Sequence, residues 1–163
     1  MKLIGLLVIG LIIVFGCDLR STKYPKTMPN DFNFNSNIAD SSYILDTYKD
    51  KLTKKIDWKL DTTISYRLAL AEKQKNYMIL KGIDIYHYPQ FYTPKTKVRV
   101  RPSFSYQFEF TLNGVDYKIH WKENTESDTK YSKELRKLFR EIKNTIEKDD
   151  QVRNLPEDKR AFF

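Results

Sequence analysis

The chain has 163 residues, enough for one domain with a real core. Aromatic residues make up 14% and charged residues 31%, with a net charge of +8; so much aromatic content excludes a disordered chain. The one cysteine excludes an internal disulfide and a multi-cysteine metal site. The positive balance suits anionic partners, and equally a soluble lysine-rich surface.

Met1-Lys2 is a minimal positive segment, and Leu3 to Phe15 is an apolar run of signal-peptide length. The run is short of the ~20 residues a membrane-crossing helix needs. It closes on Val14-Phe15-Gly16-Cys17, where the composition turns polar at once. These residues resemble a bacterial lipobox. The resemblance implies cleavage after Gly16 and a lipid, with palmitate-type acyl chains, on Cys17. Residues 1–16 are then a lipoprotein signal peptide, 17–31 a lipid-anchored tether and 32–163 a single domain. Two or three acyl chains suffice for stable anchoring where one is marginal. An uncleaved signal anchor and a secretory peptide with an incidental cysteine remain as alternatives. The expected location is the extracytoplasmic side of the cell membrane. Asp18 implies retention at the inner membrane in an enteric-type diderm and has no such meaning in a monoderm.

Asp18 to Asp31 carries two prolines and no apolar periodicity, and reads as tether. Phe32, Phe34, Ser36 and Ile38 alternate with Asn33, Asn35 and Asn37, which predicts a strand. Ala39 to Ser42 is a turn, Tyr43 to Tyr48 a second short strand, and Asp50-Lys51 another turn. Leu52 to Leu60 is predicted as a strand with Ile56, Trp58 and Leu60 inward. Thr62 to Leu68 continues with Ile64, Tyr66 and Leu68 inward, after a break at Asp61. From Ala69 to Ile83 the period becomes helical, with Leu70, Tyr77, Leu80 and Met78 on one stripe. Gly82 suits the left-handed end position. Asp84 to Pro94 is a packed aromatic loop, and Val98 with Val100 starts an edge strand that Pro102 ends.

Phe104 to Trp121 is a hairpin. Asn113-Gly114 is the strongest short signal for a two-residue turn with φ > 0 at both positions. That loop sets Leu112 opposite Val115, Phe110 opposite Tyr117, Phe108 opposite Ile119 and Tyr106 opposite Trp121, all on one apolar face. The other face is polar and pairs Glu109 with Lys118, a bonus of roughly 0.2–1 kcal/mol. A helix then runs from an N-cap at Asp128 to about Lys148. Its stripe is Tyr131, Leu135, Leu138, Phe139, Ile142 and Ile146, and Asp149-Asp150 stop it. Gln151 to Phe163 is a tail whose terminal aromatics are expected to pack on the sheet edge. The fold class is α+β: an antiparallel sheet with one face covered by two amphipathic helices.

The order of segments resembles a family of small, uncharacterised bacterial lipoproteins, mostly of Gram-positive bacteria. The matching residues are Leu45-Asp46-Thr47-Tyr48 with Thr53-Lys54, and Ile83-Asp84-Ile85 with Tyr88-Pro89. Tyr106, Trp121, Leu135-Arg136 and Leu155-Pro156-Glu157 match as well. The resemblance spans most of residues 32–160 and implies fold and location; it brings no activity.

Catalytic patterns are absent from the sequence. His87 and His120 lack metal-ligand spacing, no G-x-S-x-G element occurs, and no glycine-rich loop cradles phosphate. No cofactor, metal or catalytic residue is expected. Two groups are candidate binding features. Lys130, Lys133, Arg136, Lys137 and Arg140 form a basic helix face, either simply solvated or an anion-binding surface. Tyr86, His87, Tyr88, Phe91 and Tyr92 form an aromatic loop, either core cover or a shallow ligand or partner site. Lys97, Arg99 and Arg101 add a basic rim. The expected function is a membrane-anchored binding or interaction module, with the membrane as partner through Cys17. An envelope protein or an anionic polymer is the further partner; no nucleic acid is expected outside the cell. The alternatives are an envelope enzyme and an immunity or exclusion lipoprotein that blocks a secreted toxin or phage.

Overall fold

The hairpin forms in the expected register, and the sheet grows from it. In the computed structural model, residues 24–38, 43–57, 59–93, 105–122 and 129–160 are described. Strands β6 (Ser105–Leu112) and β7 (Val115–Lys122) pair with Tyr106 opposite Trp121 and Leu112 opposite Val115. Asn113 and Gly114 sit at φ 52° and 72°, the left-handed region that a side chain branched at Cβ resists. The Asp31 carboxylate accepts from the Gly114 N–H at 2.6 Å and from the Asn113 N–H at 3.3 Å, which holds the turn from outside. Asn113→Val is expected to lower stability by about 1–2 kcal/mol, read as a fall in the urea midpoint. An unchanged midpoint would mean that the turn does not need its positive φ.

Strands β1 (Asn33–Ile38), β2 (Tyr43–Asp46), β3 (Lys51–Lys55), β4 (Asp61–Ser65) and β5 (Phe91–Tyr92) complete a seven-stranded sheet. Its order is β4-β3-β2-β1-β6-β7-β5. Every pairing is antiparallel except β5 with β7. β1 brings the hairpin and the β2–β4 meander together: Phe34 lies opposite Phe110 and Ser36 opposite Phe108. Because side chains alternate across a strand, Phe34, Leu45, Leu52, Phe108, Phe110 and Trp121 gather on one buried face. The other face carries Asn33, Asn35, Thr53, Thr63, Gln107 and Lys118. There Glu109 and Lys118 form the expected ion pair.

Helices α1 (Leu70–Gly82) and α2 (Lys130–Glu147) cover the apolar face. α2 buries Leu135, Leu138, Phe139, Ile142 and Ile146, the predicted stripe, while Tyr131 at its start stays exposed. α1 buries Asn76, Tyr77 and Leu80. Thr145 donates to Glu72 at 3.2 Å and Lys75 pairs with Glu141, so the two helices run antiparallel.

Several local expectations are corrected. β3 ends at Lys55, and Leu60 is 54% exposed, not inward. The Asp57 carboxylate accepts from the Lys59 and Leu60 N–H groups at 2.6 and 2.8 Å, which turns the chain where the apolar alternation ran on. Leu70 is 71% exposed because it opens α1 ahead of the face that packs; Met78 is exposed too. The left-handed residue after α1 is Asp84 at φ 53°, not Gly82, which lies within the helix. Val115 is exposed at the hairpin tip. Thr129 caps α2, its hydroxyl accepting from the Ser132 N–H at 3.2 Å. Asp149 also caps a short helix α3 (Asp150–Arg153), which buries Val152 within the expected tail. The tail then reaches the connection between β3 and β4, with the Lys159 N–H donating to the Ile56 carbonyl at 2.7 Å. Cys17, the 39–42 turn, Trp58, Val98, Val100, the basic rim of Lys97, Arg99 and Arg101, Asp128 and the terminal phenylalanines lie outside the described residues.

The second half of the expected tether is docked. Tyr24 lies 4.3 Å from Tyr86, ring centre to ring centre, and its hydroxyl accepts from the Tyr86 N–H at 3.0 Å. The Pro25 carbonyl accepts from the Tyr77 hydroxyl at 2.7 Å and from Lys81 Nζ at 3.0 Å. Met28 packs against the core.

Candidate functional site

The aromatic loop follows α1. The left-handed Asp84 reverses the chain, and a 3-10 turn over Ile85–His87 buries Ile85. The five candidate residues do not converge. Tyr86 is half-buried between Tyr24 and Tyr117, whose ring centre is 4.5 Å away. Tyr88 is buried, lies tilted against Tyr131 with ring centres 4.5 Å apart, and donates its hydroxyl to the Glu134 carboxylate. Tyr92 shares a 2.5 Å hydrogen bond with the Thr129 hydroxyl. Phe91 is 69% exposed and lies against His120, with ring centres 5.3 Å apart. His87 faces solvent beside Asp84, its Nδ1 2.7 Å from the carboxylate. The loop is therefore mainly a fastening: it ties the N-terminal segment to the hairpin on one side and to the first turn of α2 on the other. Burial pushes the Tyr24 and Tyr86 phenols well above their ordinary range, and burial together with the Glu134 carboxylate does the same to Tyr88.

Beside the loop is a cleft of about 300 Å³, lined by Tyr86 and Tyr88 with Gln90, Asp116, Tyr117 and Lys118. Only two of the five candidate residues reach it.

The basic face of α2 is real as a surface. Lys130, Lys133, Lys137 and Arg140 are exposed and Arg136 is half-buried, on the side of the helix opposite Leu135, Phe139 and Ile142. Lys130 is 3.9 Å from Glu134. The face begins at the turn where Tyr88 and Tyr92 are seated.

A third feature has no counterpart in the sequence reading. A cleft of about 500 Å³ opens between the β2–β3 turn and the start of α1, lined by Asn33, Thr47, Asp50, Arg67 and Lys73 among others. Lys73 Nζ donates to Asn33 Oδ1 at 2.6 Å, and Arg67 Nε to Asp50 Oδ2 at 3.1 Å. Burial pulls the Lys73 ammonium below its ordinary range, against the opposing pull of Asp50. In the sequence Lys73 is one of several lysines on the outer stripe of a short helix; nothing in its spacing separates it from Lys75. Only the arrival of β1 and the Asp50 turn beside α1 does so.

Among the described residues, no three His, Cys, Asp or Glu side chains stand close enough to hold a metal ion. No helix among them is long and apolar enough to cross a membrane. No protein-family model matches the chain, and neither a curated protein nor a solved structure matches it.

Proposed function

We propose that the chain is a lipoprotein anchored through Cys17 on the extracytoplasmic side of the membrane, and that its domain is a binding module for anionic surfaces. The observation that carries this reading is the docking of Tyr24 to Asp31 on the domain. Cys17 is only seven residues before Tyr24, so the anchor and the first docked residue are at most about 25 Å apart, whatever path the chain takes. A lipid on Cys17 keeps the domain against the headgroups. Tyr24 enters beside Tyr86, two residues before the Tyr88 that rests on the first turns of α2. The basic face of α2 begins at that same end. Near an anionic leaflet each lysine or arginine contributes about 1 kcal/mol, fading within a Debye length.

The test uses the chain from residue 17 on, carrying Cys17→Ser, mixed with vesicles of phosphatidylglycerol or of phosphatidylcholine. Binding to the anionic vesicles alone is expected, weakened by salt, and reduced roughly tenfold or more in Lys133→Glu with Lys137→Glu. Equal binding to both vesicle types, or no effect of the reversals, would remove α2 from the reading. The anchor is tested separately in cells. Cys17→Ala should leave an unprocessed precursor or a protein outside the membrane fraction; wild-type processing and fractionation of that variant would overturn it.

A further inference from the structure

We propose that the cleft between the β2–β3 turn and the first turn of α1 binds the oxyanion, carboxylate or phosphate, of a small polar ligand, with Lys73 as its anchor and Arg67 as its second cation. The inference is independent of the lipid anchor and of the basic face of α2.

Lys73 and Arg67 bring two positive charges to the cleft and Asp50 one negative charge. Asp50 is committed. It sits at φ 49°, its carbonyl accepts from the Tyr66 N–H at 2.8 Å, and its carboxylate takes Arg67 Nε at 3.1 Å. Lys73 makes no ion pair among the described residues; its hydrogen bond goes to the neutral oxygen of Asn33. One positive charge is left without a matching carboxylate in a partly desolvated place.

An ammonium has three N–H groups, and Asn33 takes one of those of Lys73. The Arg67 guanidinium meets Asp50 through Nε alone, which leaves its two outer nitrogens for a second oxygen. The surrounding polar atoms hold Lys73 in place. Asn33 Nδ2 donates to the Asp31 carbonyl at 3.4 Å, and its Oδ1 lies 3.3 Å from the Thr47 hydroxyl, which accepts from the Phe34 N–H at 2.8 Å and donates to the Phe34 carbonyl at 3.0 Å. Asn33 is therefore held at its place on β1, beside a Thr47 side chain that is itself tied to Phe34, before any ligand arrives, and the ammonium with it. A preorganised cation loses little freedom on binding. Leu68 and Leu70 supply an apolar wall and Tyr48 an aromatic one, which suits a small organic ligand as well as a bare ion. The depressed ammonium of Lys73 has the same origin: burial without a full counter-charge, a condition that an incoming anion relieves.

The test titrates the full chain, held in non-ionic detergent, with inorganic phosphate, and in parallel with acetate and with chloride. Side-chain NMR of the lysine ammonium groups follows binding. Saturable binding of phosphate or acetate in the millimolar range or tighter is expected, with Lys73 the lysine that shifts most. Phosphate alone points to a phosphate-bearing ligand, and acetate alone to a carboxylate-bearing one. Lys73→Met should weaken binding at least tenfold, Lys73→Arg only a few-fold, and Asp50→Asn should strengthen it. Lys75→Met, at a position paired with Glu141 outside the cleft, should leave it unchanged. Chloride shifting Lys73 as strongly as either oxyanion, no saturation by about 20 mM, or equal affinity in Lys73→Met would overturn the assignment. Should Lys73→Met fail to fold, the wild-type chain still decides: an anion that shifts other lysines and leaves Lys73 unmoved refutes the site.

Discussion

Trp121→Ala is expected to destabilise the domain by about 3–5 kcal/mol, the cost of emptying a fully buried aromatic position. Trp121 is 0% exposed on the inner face of β7. Its ring stacks on Tyr106 at 4.6 Å and lies 6.0 Å from Phe139 of α2, so it joins both hairpin strands to the covering helix. Removing it leaves a void between two layers, and neither β6 nor α2 can close in without breaking register elsewhere. Trp121→Phe should behave differently. The indole N–H is buried with no hydrogen-bond partner among the described residues. Leaving a polar group in that state costs about 1–3 kcal/mol. Phenylalanine loses part of the ring contact but removes that orphan donor, so the two effects nearly cancel and the net change is within about 1 kcal/mol. Urea unfolding of the three proteins gives the comparison. A Trp121→Phe variant as unstable as Trp121→Ala would show that the N–H is satisfied after all.

The contrast between the hairpin and the strand before Asp61 shows what a linear pattern carries. At Asn113-Gly114 the turn is two residues long and its conformation demands these residue types, so the register of eight residue pairs follows from one local fact. At Ile56-Asp57-Trp58-Lys59-Leu60 the same alternation is present, yet the chain turns. The reason is a side-chain-to-backbone bond from Asp57, which competes with the ladder and leaves no trace in the apolar period. α2 was legible because its five buried apolar residues, Leu135, Leu138, Phe139, Ile142 and Ile146, repeat at the helical period. α1 was legible as a helix, but its exposed Leu70 and buried Asn76 show that a short helix packed beside α2 obeys its neighbours more than its own stripe.

Polar fastening was the least legible feature. Tyr24 to Asp31 has no periodicity because it docks through a phenol, a backbone carbonyl and a carboxylate. The Lys73 cleft draws residues 33, 47, 50, 67 and 73 from four separate stretches of chain. Their proximity is a product of the order in which β1 falls between β2 and β6. The basic face of α2 was readable, since one helix supplies all of it. The aromatic loop was readable as a cluster of types but not as a destination, because its side chains leave for three different neighbours.

Raising the pH above 10 is expected to unfold the domain in a steep alkaline transition. Tyr24, Tyr86 and Tyr88 all hold their phenol protons more tightly when folded, chiefly because burial disfavours phenolate. In the unfolded chain each titrates near pH ~10. Below that pH both states are protonated and the three groups contribute their full stabilisation. Above it the unfolded chain releases protons that the folded chain keeps, so the folded state binds more protons and stability falls as pH rises. The slope approaches about 1.4 kcal/mol per pH unit for each tyrosine that stays protonated. Glu134→Gln removes the charge that helps to hold the Tyr88 proton, so it should flatten the decline. Urea midpoints measured from pH 8 upward, alongside phenolate absorbance, check this. All eleven tyrosines ionising near pH ~10 with the fold intact would contradict it. Tyr24 makes the result bear on the anchor as well. Its phenol lies against Tyr86 and accepts from the Tyr86 N–H, a bond that a phenolate also accepts, so it is the cost of burying the phenolate charge that loosens the attachment on ionisation. A Tyr24→Phe variant keeps the ring and loses the hydroxyl bond, and should therefore loosen residues 24–31 at neutral pH while leaving part of the alkaline decline to Tyr86 and Tyr88.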